Sequence, residues 1–190
     1  MNQKLLIAIV GHPSTGKDTA AYYLVKKYHW DHVSMSDLLR EYISEHHLYV
    51  GEPNRDLLHR TGDMLREKHG GDYLVKLALT KVKAPAVFSG LRTIKEVQKL
   101  KKEGGTIIAV TCPIELCYAR ALERKGDKDH ISFEKFKAQL ESQAANPEST
   151  KMNVEGVLAM TDYTIENTGT IQELYAKVDE VVNKISNHFA

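Results

Sequence analysis

The chain has 190 residues and a formal net charge of +1, with 26 Lys and Arg against 25 Asp and Glu. That length supports one sizeable core rather than two full domains, and the balanced charge gives no bulk attraction to nucleic acid or a membrane surface. No run approaches the roughly 18 apolar residues that span a bilayer, and nothing near the start reads as a signal peptide. The two cysteines, Cys112 and Cys117, lack CxxC spacing, which points to reduced thiols and a cytoplasmic protein.

In chain order, short β-branched runs predict strands at about 4–10, 32–35, 85–89, 106–111 and 162–167. Between and after them, helical spacing predicts helices at 17–28, 36–47, 54–69, 72–83, 93–103, 113–124, 132–145 and 170–187, with a shorter one near 149–160. Pro53, Gly70-Gly71 and Gly104-Gly105 mark several of the ends. Strand and helix in alternation imply an α/β fold on a parallel sheet, and TIIAVT at 106–111 suits a strand covered on both faces. Two excursions leave this rhythm. One is helical, about 36–84, and reads as a substrate-binding insertion of a single domain covering 1–190. The other, RKGDKDHIS at 124–132, is polar and charged and reads as a short lid.

The stretch GHPSTGKDT (11–19) directly follows the apolar run LLIAIV (5–10). Gly11 and Gly16-Lys17 have the spacing G-x-x-x-x-G-K, in which glycines let backbone N–H groups turn toward phosphate oxygens and the lysine reaches the β/γ phosphates. A helix opening at Lys17 adds the positive end of its dipole. Candidate ATP contacts are therefore Gly11, Ser14, Thr15, Gly16, Lys17, Asp18 and Thr19. The residue after the lysine is normally Ser or Thr; here it is Asp18, a carboxylate at an anion site. It either helps to hold Mg²⁺ or caps the helix start. His12 lies in the loop but has no catalytic partner in the sequence, and the nine histidines form no metal set.

Further segments, taken with the loop, resemble the P-loop nucleoside monophosphate kinase superfamily. HVSMSDLLRE (32–41) is similar to the S-T-G-D-L-L-R segment of adenylate kinases, and VFSGLRT (87–93) to their D-G-F-P-R-T, keeping Gly90, Arg92 and Thr93. CYARALERKGD (117–127) resembles the R-x-x-x-R that opens the kinase lid. TDYTIENTGTIQEL (161–174) resembles the tail shared with dephospho-CoA kinases. NRDLLHRTGDMLREKHGGDYLV (54–75) is similar to phage-type deoxynucleoside monophosphate kinases, which also carry Gly-Lys-Asp-Thr. The resemblance implies a P-loop NTPase three-layer fold, a five-stranded parallel sheet of order 2-3-1-4-5, ATP and Mg²⁺ as cofactors, and phosphoryl transfer to a nucleoside or deoxynucleoside monophosphate.

On that resemblance Lys17 holds the donor phosphates, Arg120 lies against the adenine and Arg124 nearer the transferring group. Phosphoryl transfer needs positioning and charge neutralisation more than covalent help. Arg92 and Arg40 are therefore candidates to grip an acceptor's phosphate, with Arg55 and Arg60 weaker ones. Asp37 either orients substrate, takes a proton from an alcohol acceptor, or serves only as a helix cap. The Asp that adenylate kinases use near Mg²⁺ is Ser89 here, so Asp18 is the remaining candidate metal ligand. The alternatives to a monophosphate kinase are a dephospho-CoA kinase-like enzyme acting on an alcohol, and a nucleotide-binding regulator or ATPase that is not a kinase. Partners are expected to be small-molecule nucleotides, with no nucleic acid or membrane, and the chain a monomer or homodimer.

Overall fold

In the computed structural model, which describes residues 5–123, 132–144 and 151–188, strand and helix alternate as the hydrophobic pattern implies. The strands are β1 (Leu6–Val10), β2 (Asp31–Ser34), β3 (Ala86–Ser89), β4 (Thr106–Thr111) and β5 (Tyr163–Glu166). They form one sheet of order β2-β3-β1-β4-β5 with every neighbouring pair parallel, the expected order. β1 sits centrally, and all five of its residues are buried.

The helices are α1 (Lys17–Tyr28), α2 (Met35–Glu45), α3 (Arg55–His69), α4 (Tyr73–Lys81), α5 (Ile94–Lys102), α6 (Ile114–Glu123), α7 (Phe133–Ala144), α8 (Val154–Leu158) and α9 (Ile171–His188). Side chains alternate across the sheet, so each strand feeds two cores. Ile7, Ile9, Val87, Ile108, Val110 and Ile165 pack with α1 and α9 through Ala20, Leu24, Leu174 and Val178. Leu6, Ala8, Val10, Phe88, Ile107 and Ala109 pack on the other face with α2 to α5 through Leu38, Leu65, Leu74 and Val97. The outcome is a three-layer sandwich of the P-loop NTPase type.

Several helix starts are chemically explicit. Ser34 caps α2 by accepting from the Asp37 backbone N–H at 3.3 Å, so the capping role open to Asp37 belongs to Ser34 instead. Asn54 caps α3 in the same manner. Thr93 and Glu96 form a reciprocal capping box at the start of α5. α8 is shorter than the helix expected near 149–160 because Asn153 caps it at Val154.

One expectation is overturned. Cys112, just past β4, and Cys117, in α6, are joined in a disulfide rather than held as free thiols. The turn from strand into helix brings their Cα atoms to 6.3 Å, within bridging range, despite the lack of CxxC spacing. Among the described residues no helix is long and apolar enough to cross a membrane.

Candidate active site

The site is built where the carboxyl ends of β1, β2 and β3 meet, the edge at which open α/β sheets bind ligands. β1 runs directly into the loop 11–16. Gly11 (φ 150°) and Gly16 (φ 95°) both need left-handed backbone, and each is also sterically closed to a side chain. A Cβ on Gly11 would overlap the Val110 carbonyl oxygen, and one on Gly16 would overlap the Asn167 amide. The loop is braced from within and without: Thr15 Oγ1 donates to the His12 carbonyl at 3.0 Å, and Asn167 Nδ2 donates to the Thr15 carbonyl at 2.8 Å. Asn167 follows β5, so the far strand holds the loop's shape.

α1 begins at Lys17 with Gly16 as its N-cap and no capping side chain. Asp18 is thus a first-turn residue and not the cap. Its carboxylate lies 3.2 Å from the Lys17 ammonium and is about half exposed, whereas Lys17 is buried. His12 Nε2 is 2.9 Å from Glu155 Oε1 of α8, which gives the loop histidine a partner outside the chemistry.

A cavity of about 380 Å³ opens beside the loop. Its wall brings together Ser14, Lys17 and Asp18 with Asp37, Arg40, Arg55, Ser89 and Arg92. Arg60 is not part of it; that side chain is exposed and paired with Asp56 on α3. A second recess of about 300 Å³, on the other side of the loop, is lined by Ser14, Gly16, Thr19 and Arg120. Arg120 is held there by donating to the carbonyls of Asn167 (3.0 Å) and Gly169 (3.4 Å). Arg124 and residues 125–131 of the expected lid lie outside the described residues.

The first cavity is strongly cationic. Burial, then the neighbouring Arg55, pull the pKa of Arg92 down from its ordinary value. Arg66, which sequence reasoning passed over, is buried and also lines the wall. Its Nε donates to Glu96 Oε1 at 2.9 Å, while Glu96 Oε2 accepts from the Arg92 N–H at 2.7 Å and the Thr93 N–H at 3.2 Å. One fully buried carboxylate therefore fixes both Arg66 and the turn that carries Arg92. His59 stands four residues after Arg55 on α3, and burial followed by Arg92 and Arg55 pushes its pKa down to about 4. Arg40 is engaged at 2.9 Å by Asp37 and at 3.6 Å by Glu52. His32 Nε2 lies 3.0 Å from Ser89 Oγ, and burial lowers the His32 pKa.

A family model described as an AAA domain matches residues 10–137, spanning the loop, the α2–α4 segment and α6. The chain belongs to this AAA-domain family. Among relatives, the AAA-domain chain is 33% identical over 184 residues to a UPF0200 protein of Sulfurisphaera tokodaii, covering 95% of this chain and 97% of that one. It is 29% identical over 192 residues to a UPF0200/UPF0201 protein of Archaeoglobus fulgidus, covering 96% of this chain. There it spans about half the relative's length, at 56%. Among solved structures, TT1252 from Thermus thermophilus matches with TM-score 0.61 and 21% identity, covering 96% of this chain and 98% of that one. Shikimate kinase from Acinetobacter baumannii in complex with shikimate matches with TM-score 0.61 and 18% identity, covering 98% and 96%. At those identities the likeness establishes the P-loop kinase fold.

Proposed function

We propose that this AAA-domain protein is an ATP-dependent phosphotransferase that moves the γ-phosphate of Mg·ATP to a nucleoside or deoxynucleoside monophosphate. The observation that carries the reading is the cationic wall formed by Arg55, Arg66 and Arg92, in one cavity with Lys17. A phosphate acceptor is already anionic at neutral pH, so it needs cations and orientation rather than a general base.

In this reading the second recess takes the donor's base against Arg120, and the loop 11–16 with the α1 N-terminus takes its phosphates. Lys17 leaves Asp18 to reach the β/γ oxygens. Arg92 and Arg55 hold the acceptor phosphate, with Glu96 keeping Arg92 in place. Ser14 lines both recesses and Lys17 the first, so the transferring group would sit beside them.

Mg²⁺ prefers one or two carboxylates plus substrate oxygens and waters over an all-protein cage. The donor set fits: Asp18 presents a half-exposed carboxylate at the loop, and among the described residues no cluster of three or more His, Cys, Asp or Glu competes for an ion. Bound there, the ion would supply charge neutralisation for the transferring phosphate. Asp18 would hold it directly or through water, with Ser89 beside it as a neutral partner.

A second reading has one observation in its favour. Asp37 keeps an exposed carboxylate in the acceptor cavity and could take a proton from a hydroxyl, as an alcohol phosphorylation such as that of dephospho-CoA requires. The discriminating experiment supplies Mg·ATP labelled in the γ-phosphate with a panel of nucleoside and deoxynucleoside monophosphates and with dephospho-CoA. Transfer to monophosphates supports the first reading. Transfer to dephospho-CoA alone assigns Asp37 as base, and ATP binding without any transfer indicates a nucleotide-binding regulator or ATPase.

A further inference from the structure

The acceptor wall contains one group whose charge is not fixed. His59 projects from α3 into the cavity one helical turn beyond Arg55, and no hydrogen-bond partner for its ring is found among the described residues. The charges around it come from two elements. Arg55, Asp56 and Arg66 share α3, and Arg92 comes from the turn after β3. Across the same cavity stand Asp37 and Arg40 of α2, already paired with one another. Lys151, just before the cavity-lining Met152, acts on Asp63 one turn farther along α3.

An imidazole among three guanidinium groups is held neutral while the cavity is empty of anions. Its partial burial and those cations act in the same direction. A phosphate monoester docked between Arg55 and Arg92 offsets their field at the ring, because its two negative charges stand against those two guanidinium groups. We infer that His59 takes up a proton from solvent when a dianionic phosphate docks, so that the acceptor site selects a terminal phosphate monoester over a singly charged carboxylate or a neutral hydroxyl. The inference rests on the phosphate-acceptor reading above and extends it to the charge state of the acceptor. The proton lands on the unprotonated ring nitrogen, and the imidazolium then adds a donor to the phosphate's oxygens.

The consequence is a pH-dependent affinity. Free phosphate loses its second charge below about pH 7, so affinity is referred to the dianion present at each pH. On that scale affinity falls about tenfold per pH unit as the pH rises from the free to the bound His59 midpoint, and is level above the bound-state midpoint, where the ring is neutral in both states. In His59→Gln, which is hydrogen-bonding but does not titrate, affinity over the same range is flat.

The test is NMR titration of the imidazole in labelled full-length protein, with and without saturating inorganic phosphate, His59→Gln identifying the resonance. The expected midpoint is about 4 in the free protein. With phosphate bound it rises by about one to three pH units, the scale on which a nearby opposite charge acts. Arg55→Ala should abolish that rise even if phosphate still fills the loop at Lys17. A midpoint unmoved by phosphate overturns the inference, as does one near the ordinary 6.5 in the free protein. The two readings separate cleanly: transfer to monophosphates with an unmoved His59 sinks only the proton coupling. A shifted His59 with no transfer sinks the kinase and leaves the anion site.

Discussion

Lys17 and Asp18 pose the sharpest chemical question at the scale of single residues. The buried ammonium and its half-exposed neighbour are 3.2 Å apart, so the loop carries its own counter-charge. If the proposed transfer holds, Lys17→Ala removes the cation that would meet the developing charge, and turnover should fall by about 10²–10³, the usual scale for one such donor. Asp18→Asn keeps the volume but loses the charge. It should raise the Mg²⁺ concentration needed for half-maximal nucleotide binding, measured by calorimetry with ADP at several Mg²⁺ levels; an unchanged requirement removes Asp18 from the metal's surroundings. His59 also makes a statement about stability. Its folded value of about 4 lies below the ordinary 6.5, so between those values the unfolded chain binds more protons. Its contribution is complete above about pH 6.5 and is lost as the pH falls toward 4, on the order of 1 kcal/mol for a half-exposed ring. His32, lowered in the same direction by burial, adds to that trend. Thermal melts of His59→Gln against the parent should converge above pH 7 and separate, in the variant's favour, near pH 5.

Among the elements, α5 does the most positioning for its length. Its capping box places Glu96 where one carboxylate receives the N–H groups of Arg92 and Thr93 and the Arg66 guanidinium. Glu96→Ala removes the nearer of the two carboxylates on buried Arg66 and leaves Asp63 at 3.4 Å, which should cost about 3 kcal/mol in urea denaturation. It should also weaken acceptor binding through the misplaced Arg92. Much at this scale is legible in the sequence: Thr93-x-x-Glu96 is a capping pattern, and β1, β3 and β4 show β-branched residues beside glycine or proline. The Arg55 and His59 spacing of four, which puts both on one face of α3, was equally readable but went unused. Asn167 was not legible as a brace. Its target, the Thr15 carbonyl, is 152 residues away and meets it only because β5 and β1 flank β4. Arg66 is similar, since a lone arginine in a helix normally faces water and only the arrival of Glu96 from α5 reverses that. The Cys112–Cys117 bridge escaped for the same reason, because its geometry depends on how sharply β4 turns into α6.

For the whole molecule, the parallel order β2-β3-β1-β4-β5 converts sequence into a site by collecting three strand ends at one edge. The central strand delivers the phosphate loop. Its neighbour β3 delivers Ser89 and the turn with Arg92, and β2 leads into α2 with Asp37 and Arg40. The fold follows from that arrangement and the family from the matched model, whereas the proposed acceptor would be set by side chains lining one cavity. The measurement that bears most directly on it is ³¹P NMR of the product formed from Mg·ATP and a monophosphate panel. A phosphate-to-phosphate transfer gives two coupled phosphoanhydride resonances in the acceptor product, absent with Lys17→Ala, and this is the expected result. A single new monoester resonance would place the phosphate on a hydroxyl, and inorganic phosphate alone would mean hydrolysis; either would contradict a monophosphate kinase.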